Sequence, residues 1–277
     1  MDKNIKLFLK DKTFAHCEYS NNPLPPKQVS KHITWIRDKP NAGDTCVYTD
    51  MCVQEVSNNT NNIAWLIEPF DHIPHIYQWL FENESKFSQI WTHDADLIIN
   101  GNNNKKFINV PFGGCWIDDY DQKIYDKRKD FSIIASEKRY HHGHKLRHSI
   151  IASASGKIDT FGGGYTYIKD KIQGLKDYRY HITIENVKRD FWFTEKLIDC
   201  FRTGTIPVYW GCPSIDHYFN TDGMIIFDDI YDLKEKLKLC TKSNYESRLD
   251  AIKDNFDRAN NFILAEDWIY NNIIKDD

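Results

Sequence analysis

Glu195 and Lys196 stand side by side directly after Thr194, where the pattern predicts a helix start. Thr194 suits an N-cap, Leu197, Ile198, Cys200 and Phe201 form one apolar face, and Gly204 suits the C′ position. A lysine in the first helical turn works against the helix dipole unless an anion lies between them. The pattern therefore predicts a phosphate-bearing ligand, with Glu195 and Glu185 free to hold sugar or ribose hydroxyls. The alternative is an exposed helix start whose adjacent Glu–Lys pair has no consequence. Upstream, "SEKRYHHGHKLRHS" (136–149) follows a strand-like run and opens a helix with Lys145 and Arg147 in its first turns. Two more cations there suit a diphosphate, arginine for its bidentate geometry. A solvated basic face would read the same. His141, His142, His144 and His148 raise the question of a metal, but no HExxH or paired Cys/His spacing supports one, so no metal is expected.

Two further stretches bear on chemistry. "KIDTFGGGY" (157–165) lets backbone approach a ligand at Gly162 and Gly163, or simply makes a tight turn. "NNIAWLIEP" (61–69) ends an apolar run on Glu68, and Pro69 turns the chain away. A carboxylate leaving a buried strand into a cleft suits a general base, although an exposed acid at a strand end would read the same and is the commoner case. Asp71, His72 and His75 are nearby rivals and acceptor-side candidates.

Whatever positions these groups must come from one large domain or two ordinary ones, since the chain has 277 residues. With 41% hydrophobic, 27% charged and 14% aromatic residues, the composition is globular. A net charge of -4 and a pI near 6.3 lack the basic footprint of a nucleic-acid binder. No run approaches the ~18 apolar residues of a membrane span, and the first residues do not read as a signal peptide. Seven scattered cysteines without a CxxC pair suggest reduced thiols and a cytoplasmic protein.

Short β-like runs alternate with helical stretches, which argues for α/β layers. Expected strands are Ile5–Leu9, Thr45–Tyr48, Ile63–Ile67, Gln89–Thr92 and Phe107–Val110, then Phe131–Ala135, Lys157–Phe161, Tyr180–Glu185, Pro207–Trp210 and Met224–Phe227. Expected helices include Ile76–Phe87, His144–Ala154, Tyr167–Leu175, Glu195–Thr203 and most of Lys234–Ile274. The densely charged Asp118–Asp130 reads as a linker, giving domains at 1–125 and 126–262 and a C-terminal helix at 263–277 that could pack back on the first. Two successive βαβ series suggest two Rossmann-like domains facing across a cleft, with ligands beyond the carboxyl ends of the strands.

Taken together, these blocks resemble the α1,3/α1,4-fucosyltransferases of glycosyltransferase family 10, most strongly over 131–229. "ITIENVKRDFWFTEKLIDCFRTGTIPVYWGCPSI" is similar to that family's strand-ENS-loop-YVTEK-helix-IPVYWG signature, and "GHKLRHSIIASASGKIDTFGGG" to its preceding Arg-helix-strand-Gly segment. In the first half, "AWLIEP" is similar to the region around the family's base. The resemblance implies a GT-B fold, with an acceptor-side N-terminal domain and a C-terminal domain that binds a nucleotide sugar. It also implies an inverting transferase, usually using GDP-fucose; the helix start and its cations can do the charge work of a metal, so metal-independent transfer is expected. Arg147 and Lys196 match the diphosphate cations, Glu195 the ribose contact, Glu185 and Asn186 the EN pair near the donor, and Glu68 the base. Trp192 and Phe193, before Thr194, replace the family's Tyr and Val. Trp192 keeps a stacking surface without the phenolic hydroxyl, which leaves the donor sugar open.

The expectation is therefore an inverting glycosyltransferase moving fucose from GDP-fucose to a glycan hydroxyl. Its partners would be a nucleotide sugar and a glycan or glycoconjugate, with neither nucleic acid nor a tightly bound cofactor or metal. A GT-B transferase with another donor, and a catalytically silent nucleotide-sugar- or glycan-binding module, are the alternatives.

Overall fold

The structure, a computed structural model, describes residues 4–12, 14, 18–20, 28–58, 60–101, 106–154 and 156–275. The chain divides into two units. The first comprises residues 1–114, 189–192 and 264–277, and the second 115–188 and 193–263. The chain thus re-enters the first unit twice, once through a four-residue loop and once through its C-terminal segment. The charged stretch 118–130, expected to be a linker, belongs to the second unit, and its last residues open a strand.

The first unit holds β1 (Ile5–Lys10), β2 (Ile33–Ile36), β3 (Thr45–Thr49), β4 (Asn61–Trp65), β5 (Gln89–Thr92) and β6 (Phe107–Asn109). They pair in parallel in the order β2-β1-β3-β4-β5-β6. Along the chain, helix α1 (Pro74–Asn83) lies between β4 and β5, and α2 (Ala95–Asn100) between β5 and β6. Strands β3 and β4 are buried on both faces, so residues 46–48 and 63–65 are consecutive apolar residues instead of alternating with polar ones. Cys46, Tyr48, Ala64, Leu66, Ile76, Leu80 and Ile90 form one core between sheet and α1. β2 and α2 were not expected: four residues with two charged neighbours, and one short helical turn and a half, give too little periodicity to stand out.

The second unit holds β7 (Lys129–Ile134), β8 (Asp159–Phe161), β9 (Tyr178–Ile184), β10 (Ile206–Trp210) and β11 (Ile225–Ile226). Its helices are α3 (His142–Ser153), α4 (Glu195–Phe201), α5 (Ile230–Leu237), α6 (Lys242–Glu246) and α7 (Leu249–Ala259). The sheet is parallel in the order β8-β7-β9-β10-β11, so the order reverses between β7 and β9. Open sheets of this kind receive ligands outside the carboxyl ends of the strands at that reversal. Ile133, Ile182, Ile206, Val208, Phe227, Leu233 and Ile252 centre the core. The expected helix Tyr167–Leu175 is instead a loop ending in a 3-10 turn at Lys171–Gly174, which Gln173 closes by accepting from the Lys169 and Asp170 amides.

Past α7, α8 (Ala265–Ile269) belongs to the first unit. Glu266 on it is fully buried and accepts from the Ser20 amide, the Ser20 hydroxyl and the Trp35 indole. Among the described residues no helix is long and apolar enough to cross a membrane. The six described cysteines are buried and free.

Candidate active site

A cavity of about 360 Å³ opens at the reversal point of the second sheet. Ala135 and Ser136 past β7, and Thr183, Ile184 and Asn186 at the end of β9, form its base. Arg147, Lys171, Glu195, Lys196 and Asp199 supply its charge, and Trp116, His144 and His181 its rings. Gly162 and Gly163 also line it. Gly162 has φ +105, and a Cβ there would lie 2.1 Å from the Ala135 carbonyl oxygen, so only glycine lets the end of β8 lie against β7. At the start of α3, a Cβ on Gly143 would meet the Glu185 carbonyl at 1.8 Å. That close approach brings Arg147, one turn on, to the end of β9.

Arg147 is buried. Its Nε and Nη2 donate to the Ile184 carbonyl, and Nη2 also donates to Asn186 Oδ1 at 3.0 Å. These bonds fix the guanidinium plane and leave its Nη1 hydrogens without a partner among the described residues. Burial lowers its pKa, opposed by Glu185 and Glu195.

Lys196 answers to an anion, and part of that anion is the chain's own. The Glu185 carboxylate, fully buried, accepts from the Thr194 amide and hydroxyl, and Lys196 Nζ lies 3.4 Å from its Oε2. Glu185 is therefore not free for sugar hydroxyls, as the sequence pattern had suggested. It ties the end of β9 to the start of α4. Thr194 caps α4 by accepting from the Lys196 amide, and Gly204, at φ +68, lies two residues past the C-cap Arg202 rather than at C′.

Lys171 and Asp199 were not singled out from sequence. Lys171 Nζ sits between Glu195 Oε1 at 3.0 Å and Asp199 Oδ2 at 2.9 Å, and lies 4.2 Å from the Trp116 ring centre. Asp199 also accepts from the Trp116 amide at 2.6 Å. Burial would raise the Glu195 pKa, but Lys171 and Lys196 outweigh it and hold the carboxyl at about 2. Asp199 goes the other way, raised because burial exceeds the pull of Lys171. Asp199 follows Glu195 by one helical turn, a spacing that could have marked it; Lys171 sits in a 3-10 turn and gave no such signal.

His144 and His181 are neutral. Burial, then Arg147, lowers His144 to about 4, and burial, then Lys171, lowers His181 to about 3. Ser132 donates its one hydroxyl hydrogen to the Gly174 carbonyl, so His181 must donate from Nδ1 to that hydroxyl. Its Nε2 is left as an acceptor. The other histidines have local tasks: His142 stacks on Trp210 at 5.2 Å, and His148 bonds the Tyr165 hydroxyl and the Lys138 carbonyl. His144 Nδ1 accepts the His141 amide at the start of α3. Among the described residues no three His, Cys, Asp or Glu side chains group so as to hold a metal.

The remaining expected donor contacts are not at the cavity. Lys145 is exposed on α3. Phe193 is buried among Tyr218, Phe219 and Phe262. Trp192 is 3% exposed and packs in the first unit against His72 and His93.

In the first unit, Glu68 follows β4 with its side chain 39% exposed. Asp50, a buried residue in the left-handed region at φ +39, accepts the amides of Ile67 and Glu68 and so fixes the turn. His72 Nδ1 lies 2.5 Å from Glu68 Oε2, and the Tyr77 hydroxyl donates to the Glu68 carbonyl at 3.0 Å. Asp71 pairs with Arg189 Nε at 2.6 Å, and His75 is exposed.

Residues 124–247 match the sequence model of the C-terminal part of glycosyltransferase family 10 (fucosyltransferase). An α-(1,3)-fucosyltransferase of Helicobacter pylori is 30% identical over 109 residues, 39% of this chain and 20% of that protein. A putative fucosyltransferase-like protein of Arabidopsis thaliana is 32% identical over 65 residues, 22% of this chain and 13% of that protein. The chain thus spans about a fifth or less of the length of these curated relatives. Among solved structures, an α1,3-fucosyltransferase with GDP superposes with a TM-score of 0.57 at 15% identity, over 95% of this chain and 91% of that one. A trehalose-phosphate synthase of Burkholderia vietnamiensis reaches 0.56 at 8% identity, over 84% and 72%. These likenesses carry the fold, an α/β GT-B fold of two Rossmann-like units. The sequence match lies within the second unit, where residues 124–247 are similar to the C-terminal part of glycosyltransferase family 10.

Proposed function

We propose that the protein is an inverting glycosyltransferase that takes fucose from GDP-fucose to a hydroxyl of a glycan. The observation that carries this reading is the cavity at the β7/β9 reversal, where Arg147 presents free Nη1 donors beside Lys196. Fixed cations at such a site stabilise the charge of a departing nucleoside diphosphate. Glu195, held ionised by Lys171 and Lys196, supplies acceptor oxygens for ribose hydroxyls, and His181 Nε2 and Asn186 supply neutral ones. Glu68 takes the proton from the acceptor hydroxyl as that oxygen attacks the anomeric carbon, and the carbon–phosphate-oxygen bond breaks on the opposite face. His72, bonded to the same carboxylate, orients it. The fucosyltransferase family match over the second unit and the GDP complex of a structurally similar fucosyltransferase support the donor.

Because the charge work falls to Arg147 and Lys196, transfer is expected to survive excess chelator. Loss of activity on EDTA, restored by one divalent ion, would contradict that. A different nucleotide sugar is the second reading. It is favoured by Trp192, which stands at the family's tyrosine position without the phenolic hydroxyl and lies buried against His72 and His93 in the first unit.

A thermal-shift panel decides between them. A ligand at 100 times its dissociation constant adds about 2.7 kcal/mol of stability. GDP and GDP-fucose are expected to give the largest shifts. A UDP-sugar shift with none from GDP would overturn the donor, and release of no nucleoside diphosphate with any acceptor would leave a binding module.

A further inference from the structure

The first unit contains a second built cavity, of about 340 Å³, that none of the groups above explains. Its walls are Phe70, Tyr77, Phe81, Asp94, Asp96 and Arg189. Phe81 is 76% exposed and Phe70 42%, an unusual placement for two phenylalanines on one groove. The geometry points to a saccharide-binding subsite, in which a sugar ring lies on the exposed phenyl faces and its hydroxyls reach the carboxylates and the guanidinium.

The chemistry of the walls selects that occupant. A pyranose offers an apolar C–H face on one side and, around its edge, hydroxyls that each donate and accept. Phe70 and Phe81 meet the first requirement. Asp94 and Asp96 accept, and Arg189 donates. Arg189 is held for this: its Nε is bonded to Asp71 and its guanidinium carbon lies 5.3 Å from the Phe70 ring centre, while its Nη atoms make no hydrogen bond among the described residues. Phe70 is braced in turn by an edge contact with Tyr77 at 5.6 Å. Asp94 is fixed by capping α2, accepting from the Leu97 amide. A phosphate would meet two carboxylates, and an acyl chain would strip water from three ionic groups without replacing it. The volume fits one or two sugar rings.

The groove is joined to the segment that carries Glu68. Phe70 and Asp71 follow it directly, and Tyr77, a wall of the groove, donates its hydroxyl to the Glu68 carbonyl. As a place for the acceptor sugar, the subsite rests on the transferase reading; as a place for a sugar, it does not.

The test is saturation-transfer NMR with methyl β-D-galactopyranoside and methyl β-D-glucopyranoside at millimolar concentration, on the wild type, Phe81→Ala and Asp96→Asn. Phe81 and Asp96 are exposed, so both variants are expected to keep the wild-type melting temperature and its response to GDP. Transfer should be strongest to the protons of one ring face and fall by about tenfold in affinity in each variant. Signals that survive in both variants overturn the subsite, as does their absence from the wild type. If glycosides bind through Phe81 while no nucleotide stabilises the protein, the transferase reading falls and the subsite stands.

Discussion

The carboxylate of Glu185 accepts the Thr194 amide at 2.9 Å and the Thr194 hydroxyl at 2.8 Å, joining the first residue beyond β9 to the N-cap of α4 through a fully buried charge. Lys196 returns to the same carboxylate from the first turn of that helix. The arrangement sets where Glu195 and Lys196 project, because both follow the anchored cap. Glu185→Gln keeps the shape, loses the charge and turns one acceptor into a donor facing a hydroxyl and an ammonium. Mispairing a buried charged group costs about 1.5–3 kcal/mol, which urea unfolding would read as a lower midpoint with an unchanged slope. An unaltered midpoint would show that the anchor contributes nothing.

The cations separate into one that is braced and one that is shared. Arg147 is braced by Ile184 and Asn186, and Lys196 is shared with Glu185 and Thr194. Replacing either by alanine removes a charge-assisted contact of about 1.5–3 kcal/mol, or roughly ten- to a hundred-fold in GDP affinity by calorimetry. Arg147→Ala should also lower stability, since the Ile184 carbonyl loses both its donors. Unchanged GDP affinity in both variants would remove the diphosphate from this cavity.

Acid should weaken the fold through two imidazoles. In the unfolded chain His144 and His181 take a proton near pH 6.5; in the fold they stay neutral down to about 4 and about 3. Between those limits the unfolded state binds more protons, so stability is full above about pH 6.5 and falls as pH drops through the window. Glu195, held at about 2, adds a further loss below about pH 4.5. Urea midpoints from about pH 7.5 to pH 4.5 should decline, and His181→Gln should flatten the slope between about pH 6.5 and 5. A flat wild-type profile over that range would mean that the imidazoles are not held neutral.

The two parallel sheets were legible because their strands are short apolar runs bounded by polar turns, and Arg147 and Lys196 because each follows a strand end at a helix start. What escaped notice depends on contacts remote in sequence. Nothing local to Lys171 tells that Glu195, 24 residues on, and Asp199, 28 residues on, will share its ammonium. Nothing local to Asp50 tells that it will take a left-handed conformation to hold Glu68. The reverse error has the same origin. Glu185 looks available because a strand-end carboxylate ordinarily is, and only the return of Thr194 consumes it.

Glu68 offers the sharpest test of mechanism. Its position is set by Asp50, which accepts two successive amides, and its carboxylate by His72 at 2.5 Å. At 39% exposure the side chain can reach a bound hydroxyl. Glu68→Gln preserves size and the turn but cannot take a proton, and loss of a general base lowers turnover by about 10²–10⁴. GDP affinity should hardly move, because the cavity assigned to the nucleotide is lined by the second unit alone. His72→Gln should cost less, since it orients the base without accepting the proton. Asp71→Asn should act through Arg189, raising the acceptor KM more than it lowers kcat. Near-normal turnover in Glu68→Gln, with His72→Gln or Asp71→Asn inactive, would move the base to another residue of this turn.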